Sequence, residues 1–189
     1  MHPISQSRRA GFTIIEVVTV LVVIGIVVAI AMPRMRVSPE RRVETAARQL
    51  ARDLELARTR ALSARRQVRV AFDPSAGTYI GYLDHDRDQA FDESVTESRA
   101  LMGLGERELS PEVRYGRGSA GPVPVDSTAG AVTFAGNRME LNTRGVLEPF
   151  GSRGTIYFVH RDLPAVVAAV SVSGSASVQV WTYRGGQWQ

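Results

Sequence analysis

The chain has no cysteine among its 189 residues. That excludes disulfides, thiolate metal centres and a thiol nucleophile, and leaves any globular part to stand on packing alone. Lysine is absent too, so all 23 basic residues are arginine, a bias that carries no functional weight. Histidine is scarce: His2, His85 and His160 lie far apart, and no nucleophile–base–acid spacing accompanies them. The glycines of "GLGERE" (103–108) follow no strand pattern that would turn them into a phosphate cradle. These absences argue against an enzyme.

What is present is one long apolar run. From Phe12 to Met32 the only polar side chains are Thr13, Glu16 and Thr19, and Pro33 closes the segment. About 20 residues suffice to cross a bilayer as a helix. The run is rich in Val and Ile, poor helix formers in water, but lipid forces the backbone to pair within the segment. Glu16 is the anomaly, because an ionised carboxylate at mid-membrane costs about 2.5–3.5 kcal/mol on insertion scales.

Charge is uneven along the chain. Residues 34–70 hold eleven arginines against four acids, whereas residues 71–189 hold ten against fourteen. The formal net charge of +4 therefore combines a basic segment just after the apolar run with a mildly acidic remainder. Arg34, Arg36, Arg41 and Arg42 follow the run and only Arg8 and Arg9 precede it. By charge count alone the side following the run would face the cytoplasm.

Three readings of the N-terminus compete. Arg8 and Arg9 with Ala29-Ile30-Ala31 suit a secretory signal, and Ser7-Arg8-Arg9 hints at a twin-arginine signal, but the run is too long and Glu16 is out of place. A plain anchor leaves Glu16 without a purpose. "RRAGFTIIEVVTVLVVIGIVVAIAMP" (8–33) resembles the type IV prepilin signature: a basic leader ending in Gly, then Phe, a Glu at the fifth position, about twenty apolar residues and a Pro. The resemblance implies that prepilin peptidase cuts between Gly11 and Phe12 and N-methylates Phe12, the apolar segment staying attached as the start of a filament-core helix. It also implies that the carboxylate of Glu16 neutralises the new α-amine of a neighbouring subunit. Such an amine has a pKa of about 7.7–8.0, and stranding one member of a buried pair costs about 3–5 kcal/mol. The resemblance further implies an N-terminus inside the cell, opposite to the charge count.

Beyond Pro33, Ser38-Pro39-Glu40 reads as a helix start, with Ser as N-cap and Pro in the first turn. Val43, Ala47, Leu50, Leu54, Ala57 and Ala61 recur at helical spacing, a narrow stripe that predicts an amphipathic helix laid on a sheet. Glu44 and Arg48 form a favourable i,i+4 pair. After Arg66 the period becomes two. Val68, Val70 and Phe72, the turn "DPSAG" (73–77) and "TYIGYL" (78–83) predict a β-hairpin. Further strands are expected at "AVTF" (131–134), "RMEL" (138–141), "TIYFV" (155–159), "AVVAAVSVS" (165–173) and "SVQVWTY" (177–183), with a turn at Gly174 and Ser175. Residues 84–130 read as loop-rich, with weak apolar content.

The expected fold is α+β and pilin-like: a long N-terminal hydrophobic then amphipathic helix packed on a C-terminal antiparallel β-domain. Its parts are a leader (1–11), a membrane or filament-core helix (12–33), an amphipathic helix (34–66) and a β-rich domain (67–189). Ala57-Arg58-x-x-Ala61 running into a strand and hairpin, Gly154-Thr155-Ile156-Tyr157-Phe158, and the Val-rich hairpin at 165–183 resemble the GspH/FimT group of minor pseudopilins. That resemblance implies a non-catalytic subunit of a type II secretion pseudopilus, placed near the fibre tip. It would be a single-pass inner-membrane protein with a periplasmic domain before assembly. Its partners would be prepilin peptidase, other major and minor pseudopilins, the inner-membrane assembly platform and, before assembly, membrane lipid. The alternative is a minor pilin of a type IV pilus involved in assembly or DNA uptake.

Two constellations remain. Asp84, Asp86 and Asp88 alternate as a calcium loop begins, but Gln89 stands where such a loop needs glycine and Val95 where it needs a bidentate Glu. A solvated acidic loop is the expected reading, with no cofactor, and calcium is the candidate if any metal binds. DNA needs several phosphate contacts, and only the arginines of 34–69 offer them. They are expected to form a solvated, salt-bridged helix face, which makes DNA an unlikely partner. His160-Arg161-Asp162 reads as a surface turn.

Overall fold

The structure, a computed structural model, describes residues 12–31, 38–88, 90–101 and 103–189. The chain divides into two compact units between Val37 and Ser38.

The first unit contributes α1 (Ile14–Ala31), whose large apolar side chains are exposed on every side. Among the described residues of its own unit nothing covers them, so its stability depends on apolar surroundings rather than on a buried face.

In the second unit α2 (Pro39–Ala64) begins as expected. The Ser38 side chain accepts a hydrogen bond from the Arg41 N–H, and Pro39 occupies the first turn, where no N–H is missed. It ends at Arg65, which adopts the left-handed conformation (φ 52°) and returns its N–H to the Ala61 carbonyl. The helix thus starts at Pro39 and stops at Ala64, inside the expected 34–66; residues 34–37 and any continuity with α1 lie outside the described residues. All six stripe residues are buried, and Glu44 pairs with Arg48 at 2.6 Å. Asp53 is buried among them. Its carboxylate accepts from the Tyr79 hydroxyl (2.6 Å) and from Gln49 Nε2 (3.1 and 3.2 Å), with Arg107 Nε at 3.7 Å. Burial, reinforced by the Asp53 hydrogen bond, pushes the Tyr79 hydroxyl pKa far upward, so it stays a donor.

Two five-stranded antiparallel sheets complete this unit. In the first, β1 (Val68–Asp73) and β2 (Thr78–Leu83) form the expected hairpin, in register from Val68 opposite Leu83 to Asp73 opposite Thr78. The Asp73 carboxylate accepts from the Ser75 and Ala76 N–H groups, and Gly77 closes the turn at φ 74°. β3 (Arg107–Glu108), β5 (Arg138–Leu141) and β6 (Leu147–Glu148) extend this sheet in the order β3-β2-β1-β5-β6. The second sheet runs β10-β9-β8-β7-β4, with β4 (Val113–Tyr115), β7 (Gly154–His160), β8 (Val167–Val172), β9 (Val178–Arg184) and β10 (Gln187–Trp188). The β8–β9 turn falls at Gly174 and Ser175, where the Ala176 N–H reaches the Ser173 carbonyl. α2 packs on both sheets. An aromatic chain ties the sheets together: Phe72 to Tyr115 (6.5 Å between ring centres) and Tyr115 to Phe158 (5.5 Å).

Three expectations need correcting. "AVTF" (131–134) forms no strand, only a single bridge from Val132 to Ile156. Its neighbours are held by irregular bonds, Tyr157 N–H to the Ala131 carbonyl and Thr133 N–H to the Thr155 carbonyl. Residues 84–130, expected to be loop-rich with weak apolar content, contribute more to the core than that. They supply α3 (Val95–Ala100), β3, β4 and the buried Leu101, Leu104, Val113, Tyr115 and Val123. Leu101 and Leu104 lie so close to β2 that a β-carbon on Gly81 would meet them at 2.3 and 2.7 Å. Of His160-Arg161-Asp162 only Arg161 and Asp162 lie in an exposed bend; His160 ends β7 and is buried, its Nδ1 accepting from the Asp162 N–H at 3.2 Å.

Candidate functional site

The N-terminal site is built at the start of α1. Gly11 lies outside the described residues. Phe12 is the first residue described and is almost fully exposed. Thr13 opens the helix: its carbonyl accepts from the N–H groups of Glu16 and Val17 (3.1 and 3.2 Å), and its Oγ1 also accepts from Glu16 N–H (3.3 Å). Thr13-Ile14-Ile15-Glu16 is thus a helix-start pattern of the Thr-x-x-Glu kind, and Glu16 stands in the first turn, where the helix dipole favours a negative charge. Sequence reasoning missed this local role, although the spacing was there to be read. A second polar side chain needs no outside partner, because the Thr19 hydroxyl donates to the Ile15 carbonyl at 2.8 Å.

Among the described residues, no helix is long and apolar enough to cross a membrane. α1 has 18 residues, about 27 Å at 1.5 Å per residue against a hydrocarbon core of about 30 Å. The expected segment 12–33 continues through Met32 and Pro33, outside the described residues.

The acidic loop does converge. Carboxylate oxygens of Asp84, Asp86 and Asp88 lie within 4.8 Å of one another, Asp84 buried and the other two exposed. Each also accepts a backbone N–H close by in sequence: Arg87 on Asp84 (2.7 Å), Asp88 on Asp86 (3.4 Å) and Ala90 on Asp88 (2.8 Å). These turns fold the loop with its own backbone. An all-oxygen set of this kind suits a hard cation such as calcium, but three ligands are about half of what calcium takes.

Several arginines of the basic segment have partners inside the unit. Arg42 reaches Glu112 (2.9 Å), Arg52 the Gln49 side chain (2.7 Å) and Arg58 the Ala176 carbonyl (3.4 Å). Arg66 donates to the Asp84 and His85 carbonyls. Arg69 joins Glu140 (2.6 Å) and Glu93 (3.1 Å) and stacks on Phe91.

An apolar leading helix followed by a helix-on-sheet unit defines a pilin-like subunit. The chain belongs to the family of the type II transport protein GspH, whose family model matches residues 46–177, and residues 6–32 match the prokaryotic N-terminal methylation motif. That motif implies processing by prepilin peptidase, and the family is one of structural pseudopilins and pilins. No curated protein matches the chain. Among solved structures, the minor pseudopilin EpsH of the Vibrio cholerae type 2 secretion system is 9% identical, with a TM-score of 0.49 over 74% of this chain and 96% of that one. The type IV minor pilin FimU of Pseudomonas aeruginosa is 14% identical, with a TM-score of 0.48 over 78% of this chain and 92% of that one.

Proposed function

We propose that the chain is a minor pseudopilin of a type II secretion pseudopilus. Prepilin peptidase cuts it between Gly11 and Phe12 and methylates the new amine. Before assembly it spans the inner membrane once, with its N-terminus in the cytoplasm and residues 38–189 in the periplasm. An assembly platform then moves it into the fibre near the tip, beside major and minor pseudopilins. One observation carries this reading: the methylation motif covers the segment whose apolar helix opens at Thr13 and Glu16, on the same chain as the match to the type II transport family. Glu16 then has two tasks. Within its own chain it suits the positive end of α1; in the fibre it offsets the α-amine of a neighbour's Phe12, a charge that exists only after cleavage. The chain performs no catalysis and requires no cofactor.

The test is deletion of the gene with two readouts in the same strain. Loss of exported enzymes from the medium, with surface pili and DNA uptake intact, supports the secretion machine; the reverse result transfers the subunit to a pilus. The pilus reading draws on Arg65, Arg66 and Arg87, which line one cavity at the end of α2 and could meet phosphates. Asp84 lines the same cavity and opposes an anion there. If that reading holds, DNA retention falls steeply with salt and is lost when these arginines are neutralised.

A further inference from the structure

The outer face of the second sheet, turned away from α2, is covered in two different ways. Across β7, β8 and β9 one row reads Tyr157, Ala169 and Trp181, closed by the loop that carries Val123, whose N–H donates to the Tyr157 hydroxyl at 3.0 Å. The next row towards the β8–β9 turn reads Thr155, Ser171 and Gln179. Here the covering loop ends at Asp126 and leaves a cavity of about 290 Å³.

The cavity is built from polar groups that are themselves buried. Asp126 and Ser171 are each 6% exposed and Thr155 is 0% exposed. The Asp126 carboxylate accepts from the Thr133 hydroxyl (2.6 Å) and the Thr128 N–H (2.9 Å). Ser171 Oγ accepts from Trp181 Nε1 at 2.8 Å, which leaves its proton free to donate. Thr155, 0% exposed, lies beneath this lining, against the Asp126 carboxylate. The Ser171 proton and the remaining lone pairs of the Asp126 carboxylate favour a polar occupant, ligand or water, that meets them. At the mouth stand two exposed side chains, Gln179 and Arg153. Phe150, 87% exposed, precedes Gly151 of the lining.

We propose that this cavity binds one neutral pyranose unit of a glycan. A free anion would meet the buried Asp126 carboxylate, and a free cation would meet Arg153 and find only one carboxylate. Sugar hydroxyls both donate and accept: they donate to Asp126, accept from Arg153 and Ser171, and do both with the Gln179 amide. The volume lies at the lower end of small-molecule sites, which begin at about 300 Å³, and so suits a single ring with the rest of the glycan outside. The site is independent of which machine the fibre serves.

The full chain, held in a phosphocholine detergent that carries no sugar, is titrated with glucose, galactose, N-acetylglucosamine and β-linked oligomers of each. Amide shifts are followed at Gly151, Gly174 and Ser177, together with Trp181 fluorescence. The expected result is saturable binding of at least one sugar at millimolar concentration, with shifts confined to the cavity. Gln179→Ala and Arg153→Ala, both at exposed positions and neutral for folding, weaken it about tenfold each, the equivalent of one lost hydrogen bond. Asp126→Asn abolishes it if the variant folds. No saturable shift with any of these sugars, or binding that Gln179→Ala and Arg153→Ala leave unchanged, overturns the proposal and leaves a cavity that holds water.

Discussion

α1 and α2 are helices of one chain with opposite ways of being stable. α2 hides a stripe of six apolar residues with Asp53 among them, and keeps its other charges off that stripe. Its partner, the pair of sheets, comes with the same fold. α1 is apolar all round, carries one carboxylate, and has no covering surface among the described residues of its own unit. The first is therefore sensitive to the loss of a methyl group, the second to the surroundings it is given. A helix that finds its partner outside the chain can be short of polar marks and still be specific, provided that one charge sets its register.

The sharpest test of this contrast is a pair of truncations. Leu54→Ala in α2 opens a hole in a core where Leu54 is 1% exposed and should cost about 2–5 kcal/mol. Leu21→Ala in α1, at a position 62% exposed, should leave the same unfolding transition within about 0.5 kcal/mol. Denaturant titration of the full chain in detergent, read by Trp181 and Trp188 fluorescence, measures both. Equal effects would erase the distinction between the helices.

Acid should act on the sheet unit through Asp126. Burial alone would raise the Asp126 carboxyl, but the hydrogen bonds from Thr133 and Thr128 outweigh it and hold the pKa below the ordinary range. A carboxyl held low in the fold contributes stability above about pH 4, its unfolded value, and loses it as pH falls through the folded value. The melting temperature should therefore drop on acidification in that window, and Asp126→Asn should flatten the drop while lowering the plateau. A raised plateau would contradict the favourable role of the charge.

Smaller still is the N-cap of α2. Ser38→Ala removes the acceptor for the Arg41 N–H and should cost about 1 kcal/mol, while Ser38→Gly should cost a few tenths. The smallest expected effect is that of calcium on the 84–88 loop. Its carboxylates already accept backbone N–H groups, so millimolar calcium should leave the melting temperature unchanged; a rise reversed by a chelator would establish a cation site.

Much of this was readable from the residues in order. The α2 stripe, the β1–β2 hairpin and β5 are where periodicity placed them, because each is a local pattern with one buried face. Strands β7 to β9 shifted by only one or two residues at their ends. Val113 and Tyr115 were missed because a three-residue strand has no period to detect, and "AVTF" misled because β propensity says nothing about which partner is free. The match of residues 6–32 to the methylation motif was legible because such a motif is linear. The polar row of Thr155, Ser171 and Gln179 was not, since residues 16 and 8 apart meet only when two hairpins set the register.

The most direct test of the account is the N-terminus and intact mass of the mature protein from cells with and without prepilin peptidase. The account predicts a chain that starts at a methylated Phe12 and does so only when the enzyme is present. A chain that starts at Met32, or one left uncut in both strains, would contradict it and leave Glu16 with its helix-end role alone.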